Sequence, residues 1–268
     1  MRDDMTPVVV DLPASMQTVE VYVVSDIHCG NYLFNKAKWD KLKAEILQAP
    51  NRYIIFAGDA MENAVPGSKS DVFSQNMHPQ EQREWITEQF TELKDRILCV
   101  IDGNHERNRS TKLCGLYPLY DACCIAGIQE RYRPHFCLLD LGVGMHHPAT
   151  TKRPVQQYRF VGYIVHRAKD MKNFSSADFV DGIDFMVYGH DHDAKDHARG
   201  RLVYDSKAKQ LRIKNVETIN SGSFLNYGGY AVDGGYRPGS TKMYKMVLSG
   251  CYCGSVLQKN IQTVGFSI

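Results

Sequence analysis

Five short polar runs, each following an apolar, strand-like stretch, hold most of the side chains in this sequence that can bind metal. They are Ser25-Asp26-Ile27-His28, Gly58-Asp59 with Glu62 nearby, Gly103-Asn104-His105-Glu106, a single His166, and Gly189-His190-Asp191-His192. Imidazole nitrogen and carboxylate oxygen suit divalent manganese, iron, nickel and zinc, and only Cys29 among the neighbours adds a thiol. A carboxylate can bridge two such ions, and a pair about 3.5–4 Å apart clamps the attacking and leaving oxygens of a displacement at phosphorus. Asn104 offers a neutral amide oxygen, which leaves the set less negative and suits an anionic substrate. Taken alone, Asp59 after a glycine is an ordinary turn residue. The shared placement of all five runs favours the metal reading.

That placement depends on the elements between the runs. Residues 19–26, 52–59 and 96–104 are short, β-branched apolar stretches that read as buried strands, and 183–190 reads as another. Residues 35–48 and 79–95 have helical amphipathic spacing, with Pro79 suited to a first turn. Further helices are expected at 113–126 and 175–180, and strands at 136–141 and 158–165. Beyond Gly200, alternating segments separated by glycine-rich turns predict antiparallel strands. Alternating strands and helices predict an α/β fold, a four-layer α/β/β/α sandwich of two mixed sheets with flanking helices, in one domain over 1–268. The strands' C-terminal ends then converge on one crevice. Asp26 and His28 are two apart, as are His190 and His192, so each pair points one way if strand geometry persists.

Composition narrows the class. With 43% hydrophobic and 23% charged residues the chain is an ordinary globular one, not a disordered or fibrous one. Thirty-two basic residues against 30 acidic ones give a net charge of +2, which neither demands nor excludes nucleic acid. The 8 cysteines lack zinc-ribbon spacing and read as reduced thiols. No apolar run approaches the roughly 18 residues of a membrane span. Early acids, Pro7 and Asp11 argue against an export leader, so a cytoplasmic protein without a membrane partner is expected.

In order, SDIH, GD-x-x-E, GNHE, an isolated post-strand His and GHDH resemble the calcineurin-like metallophosphoesterase superfamily over about residues 20–225. The segment NSGSFLNYGGYAVDGGYRPGS resembles that of its small phage and bacterial members. The resemblance implies that Asp26, His28 and His192 hold one divalent ion, that Asp59 bridges, and that Asn104, His166 and His190 hold a second. Manganese is the first choice of ion, with iron, zinc or nickel as alternatives. A hydroxide bridging the ions would attack a phosphate ester in line. His105 would serve the leaving group as general acid or transition-state stabiliser, and Glu106 would orient His105 by a hydrogen bond.

GDAMENA lacks the GD-x-VDRG run of protein serine/threonine phosphatases, and Ala60 to Asn63 lacks the tyrosine ligand of the purple acid branch. A phosphodiesterase is therefore expected, with a nucleic acid or nucleotide as one substrate class, against a phosphomonoesterase or a silent scaffold. His146 and His147 rival His166, which is preferred because it follows the cleaner strand. Arg107 and Arg109 directly follow GNHE and can grip phosphate through paired hydrogen bonds. Lys152, Arg153, Arg159, Arg167, Lys169 and Lys172 form a second cationic stretch, read first as solvated. Tyr227, Tyr230 and Tyr236 could stack on a base, against a plainer reading as turn packing.

Overall fold

The computed structural model describes residues 4–68, 70–144, 157–166, 180–206, 208–253 and 256–268. The strands β2 (Thr18–Val24), β3 (Arg52–Ala57) and β4 (Ile97–Ile101) are almost wholly buried, as parallel strands covered on both faces must be. β3 pairs in parallel with both β2 and β4. The crossovers are the helices α1 (Lys36–Leu47) and α2 (Pro79–Leu93). Asn35 caps α1 by accepting from the Lys38 N–H at 2.9 Å. Pro79 opens α2, and the Glu81 carboxylate accepts from the His78 N–H at 2.6 Å.

The two sheets are mixed. One runs β12-β11-β2-β3-β4-β5, with β5 at Tyr132–Arg133, β11 at Met243–Cys253 and β12 at Val256–Phe266. The other runs β1-β6-β7-β8-β10-β9, with β1 at Val8–Asp11, β6 at Phe136–Val143, β7 at Tyr158–His166, β8 at Phe185–Gly189, β9 at Lys195–Asp205 and β10 at Gln210–Asn220. Val21, Ile55, Leu139, Phe160, Phe185 and Met246 form the core between the sheets. Trp39, Phe56, Ile86, Phe90 and Leu119 form a second core between the β2–β3–β4 face and helices α1, α2 and α4 (Pro118–Ile125). This is the expected α/β sandwich of two mixed sheets with flanking helices.

Three details depart from expectation. β1 pairs in parallel with β6, although its valines sit between a proline and an aspartate. The helix expected at 113–126 begins only at Pro118. Ahead of it, Glu106–Thr111 form a wide π-helical turn that runs into the short α3 (Lys112–Cys114), which Gly115 ends at φ 68°. Beyond Gly200 the pairing is only partly antiparallel, since β10 runs parallel to β8. A last short helix, α5 (Tyr230–Asp233), lies in the loop after β10. The helix expected at 175–180 falls outside the described residues apart from its last position, and His146, His147 and most of the second cationic stretch lie outside them. Of that stretch, Arg159 pairs with Asp11 and Asp140. No helix among the described residues is long and apolar enough to cross a membrane.

Candidate metal centre

The loops after β2, β3 and β8 meet at the strands' C-terminal ends with His105, just past β4, and His166, the last residue of β7. Strand geometry does not persist past β2, contrary to the expectation for Asp26 and His28. Asp26 (φ 52°), His28 (52°), Asp59 (48°), His190 (85°) and His192 (54°) all adopt left-handed backbone. Non-glycine residues there cost on the order of 1–3 kcal/mol each and persist only where the surroundings fix them. Backbone bonds do the fixing: Asp26 N–H donates to Gly58 O at 3.0 Å and His28 N–H to Asp59 O at 3.1 Å. His190 N–H donates to Asp26 Oδ2 at 2.8 Å. Gly103 is required by close approach, since a Cβ there would stand 1.9 Å from Asp59 Oδ1.

Two sets of donor atoms result, each within 4.8 Å: Asp26, His28 and His192, and Asp59, His166 and His190. Asp59 also groups with His28 and His105. His28 Nε2 and His192 Nε2 are 3.1 Å apart, His192 Nε2 lies 3.1 Å from Asp26 Oδ1, and His166 Nε2 lies 3.1 Å from Asp59 Oδ2. Two ligands bound at right angles about 2.1 Å from one ion stand roughly 3 Å apart.

The donor set fits a cation on an independent ground. His166 Nδ1 faces the Ala57 carbonyl at 2.7 Å. A carbonyl only accepts, so in the neutral ring Nδ1 carries the proton and the Nε2 lone pair confronts the Asp59 carboxylate. His28 Nδ1 likewise lies 3.0 Å from Glu62 Oε2, which turns the Nε2 lone pair toward His192 and Asp26. Asp26 Oδ1, Asn104 Oδ1 and His166 Nε2 are buried without a hydrogen-bond partner. Acceptors facing acceptors are stable only with a positive charge between them.

Protons partly fill that role when no ion is bound. Burial opposes the charged form of Asp59, yet His166, His105 and His28 hold its carboxyl far below the usual range. Asp26 is held low against burial by His192 and His166. Conversely, burial would lower His166, but Asp59 and Asp26 raise it to about 9. His105 differs: burial takes it down to about 4, only partly countered by Asp59.

The surrounding residues correct one expectation. Glu106 does not orient His105. Its fully buried carboxylate accepts from the N–H groups of Gly103 (2.8 Å), Met61 (2.9 Å) and Asp59 (3.1 Å), tying the β3 and β4 loops together. His105 is held instead by Asp59 Oδ1, which accepts its N–H at 2.8 Å, and by the Glu62 carbonyl, 2.8 Å from Nδ1. Glu62 does more than its sequence position suggested. Besides His28, its carboxylate takes Asn31 Nδ2 at 3.1 Å, Ser70 Oγ and Arg109 Nη1 at 3.2 Å. The only sequence signal for this was the three-residue step from Asp59. Arg107 Nη1 donates to Asp102 O at 2.7 Å, and Arg109 Nη1 to Glu62 O at 2.5 Å. Cys29 is buried in the helix-side core.

Because Glu62 fixes His28 with Nε2 aimed inward, Glu62→Gln is expected to weaken divalent-ion binding about 10- to 100-fold. Titration calorimetry with manganese measures this, and an unchanged affinity would remove Glu62 from the support of His28.

No curated protein matches the chain. Among solved structures, that of vacuolar protein sorting 29 from Cryptosporidium parvum aligns with 94% of this chain and 99% of its own, at 11% identity and a TM-score of 0.41. The crystal structure of Chaetomium thermophilum Vps29 aligns with 93% of this chain and 97% of its own, at 9% identity and a TM-score of 0.37. The sequence profile of the calcineurin-like phosphoesterase family matches residues 19–224, a span running from β2 to the loop after β10 and enclosing every metal-capable group described above. The chain belongs to the calcineurin-like phosphoesterase family.

Proposed function

We propose that the chain is a dinuclear, metal-dependent phosphodiesterase acting as a single domain. The observation that carries this reading is that Asp59 groups both with His166 and His190 and with His28, which itself groups with Asp26 and His192. Divalent ions held there, manganese first, would supply Lewis acidity and ionise water near neutral pH.

The chain's own residues supply the rest. His105, with Nδ1 committed to the Glu62 carbonyl, can exchange a proton only at Nε2, on the side of Asp59. Burial keeps that ring neutral, and the charge of a bound phosphate acts in the opposite direction, favouring the protonated form that assists a leaving oxygen. Glu106 holds the Gly103 and Asp59 backbones, and with them the spacing of Asn104, His105 and Asp59. The remaining donors of Arg107 and Arg109 are assigned to substrate phosphate oxygens. Free thiols at Cys29, Cys99, Cys123 and Cys137 accord with a reducing, cytoplasmic setting. Diesters are favoured over monoesters because GDAMENA carries neither the arginine of the protein phosphatases nor the tyrosine of the purple acid branch.

The test is hydrolysis of bis-p-nitrophenyl phosphate beside p-nitrophenyl phosphate with manganese. Diester turnover should exceed monoester turnover, stop on chelation with EDTA and return with excess metal. Faster monoester turnover would make the protein a phosphomonoesterase. Stoichiometric metal binding without turnover of either ester would make it a scaffold.

A further inference from the structure

The loop after β10 is fastened at both ends to the first donor set. At its start, Phe224 N–H and Ser223 Oγ both donate to Asp26 O at 3.0 Å. At its end, Gly239 lies so close to His192 that a Cβ would stand 2.5 Å from the His192 carbonyl oxygen, and Ser240 N–H donates to Asp193 Oδ1 at 3.0 Å. Between these anchors the loop presents Tyr227 (51% exposed) and Tyr236 (59%), joined by a bond from Tyr227 Oη to Tyr236 O at 2.6 Å. Tyr32, 46% exposed on the loop after β2, abuts the same segment at Gly229. Arg237 extends beside them, with its side chain 85% exposed.

A further exposed aromatic stands on the loop after β3. The loop after β3 is tied to the site by Ser70, which bonds Glu62, and by Asn76 N–H, which donates to Gly30 O at 2.8 Å. Phe73, at the tip of this loop, is 97% exposed. It lies three residues from Ser70, and Tyr227 three residues from Phe224. Each is thus within roughly 10 Å of an anchor on the metal centre, given at most about 3.6 Å per residue.

We infer that the surface beside the metal centre is a binding site for single-stranded nucleic acid, with bases stacked on the exposed tyrosines of the loop after β10 and on Phe73. The inference rests on the phosphodiesterase reading and names its substrate class. Separately spaced aromatics among arginines suit stacked bases and a phosphate backbone. A duplex keeps its base faces inside the helix, so platforms of this kind select the unpaired strand.

The probe is a fluorescein-labelled oligothymidylate, followed by anisotropy in EDTA so that nothing is cleaved, with the duplex formed on oligoadenylate as comparison. The single strand should bind more tightly than the duplex. Tyr227→Ala, Tyr236→Ala and Phe73→Ala should each weaken it about tenfold, whereas Tyr227→Phe, which keeps the ring, should not. Equal affinity for the duplex, or unchanged affinity in all three alanine variants, would overturn the inference. Hydrolysis of methyl p-nitrophenyl phosphate by the wild-type protein with manganese separates the two levels. Turnover without strand binding removes only the platforms, and no turnover with any divalent ion removes the phosphodiesterase reading and the inference with it.

Discussion

Asp59→Asn is expected to abolish metal-dependent diester hydrolysis, with a fall on the order of 10³-fold, while leaving the metal-free protein folded. The side chain divides its work between two oxygens. Oδ1 accepts from the His105 N–H at 2.8 Å, and Oδ2 faces His166 Nε2 at 3.1 Å. An asparagine of nearly the same shape can keep its carbonyl oxygen at the first position. Its NH2 then takes the second and donates to Nε2 of the neutral His166 ring. Above about pH 9, where the wild-type His166 is neutral, the metal-free variant should melt no lower than the metal-free wild type, because an acceptor–acceptor contact becomes a hydrogen bond; near neutral pH the protonated His166 already pairs with Asp59, and the variant gives up that charged pair. What it loses is the charge shared by the two donor sets, and one charge-stabilising group of this kind is worth up to about 10³ in rate. Manganese should raise the melting temperature of the wild type, as any ligand selective for the folded state does, and should do so far less in the variant. Full manganese stoichiometry by calorimetry together with wild-type turnover in Asp59→Asn would remove Asp59 from the centre of the site.

Much of this site was legible because its parts follow strands that announce themselves. The runs at β2, β3, β4 and β8 are apolar on both faces, and only parallel strands deep in a sandwich tolerate that. The α/β rule then places whatever follows them in one crevice. Less visible was how the chain turns there. The i, i+2 spacing of Asp26 and His28 looked like strand alternation, but their left-handed backbones are set by bonds to Gly58 and Asp59, more than 30 residues away in sequence. Local propensity carries no information of that kind. Glu106 illustrates the same limit. A carboxylate beside a proposed acid invites a His–Glu pairing, yet three buried N–H groups from two loops claim it first, because a buried backbone donor without an acceptor is costly. The late start of α4 was in plain view as Gly115 and Pro118, whose stop and start signals outweigh the apolar spacing around them.

The second large effect belongs to Glu106. It is fully buried, and its carboxylate is the acceptor for the N–H groups of Asp59, Met61 and Gly103. Glu106→Ala strands all three donors in a space that the small side chain leaves empty. At about 1–3 kcal/mol for each buried unpaired group, partly relieved by relaxation or an entering water, the loss should be roughly 3–5 kcal/mol. Urea unfolding of the metal-free protein reads it directly, since no bound ion then masks the difference. Glu106→Gln should cost less. Burial and the nearby Asp59 push the Glu106 carboxyl above its usual range, so the neutral amide relieves a repulsion. It still sets one of its own N–H groups against a backbone N–H. The order of stability expected is therefore wild type, then Gln, then Ala. Activity should fall in both variants, because the peptide units that Glu106 fastens carry Asp59 and lead into Asn104 and His105. If the alanine variant unfolded within about 0.5 kcal/mol of wild type, the range of an ordinary surface substitution, the Glu106 clasp would contribute nothing to holding the two loops in register.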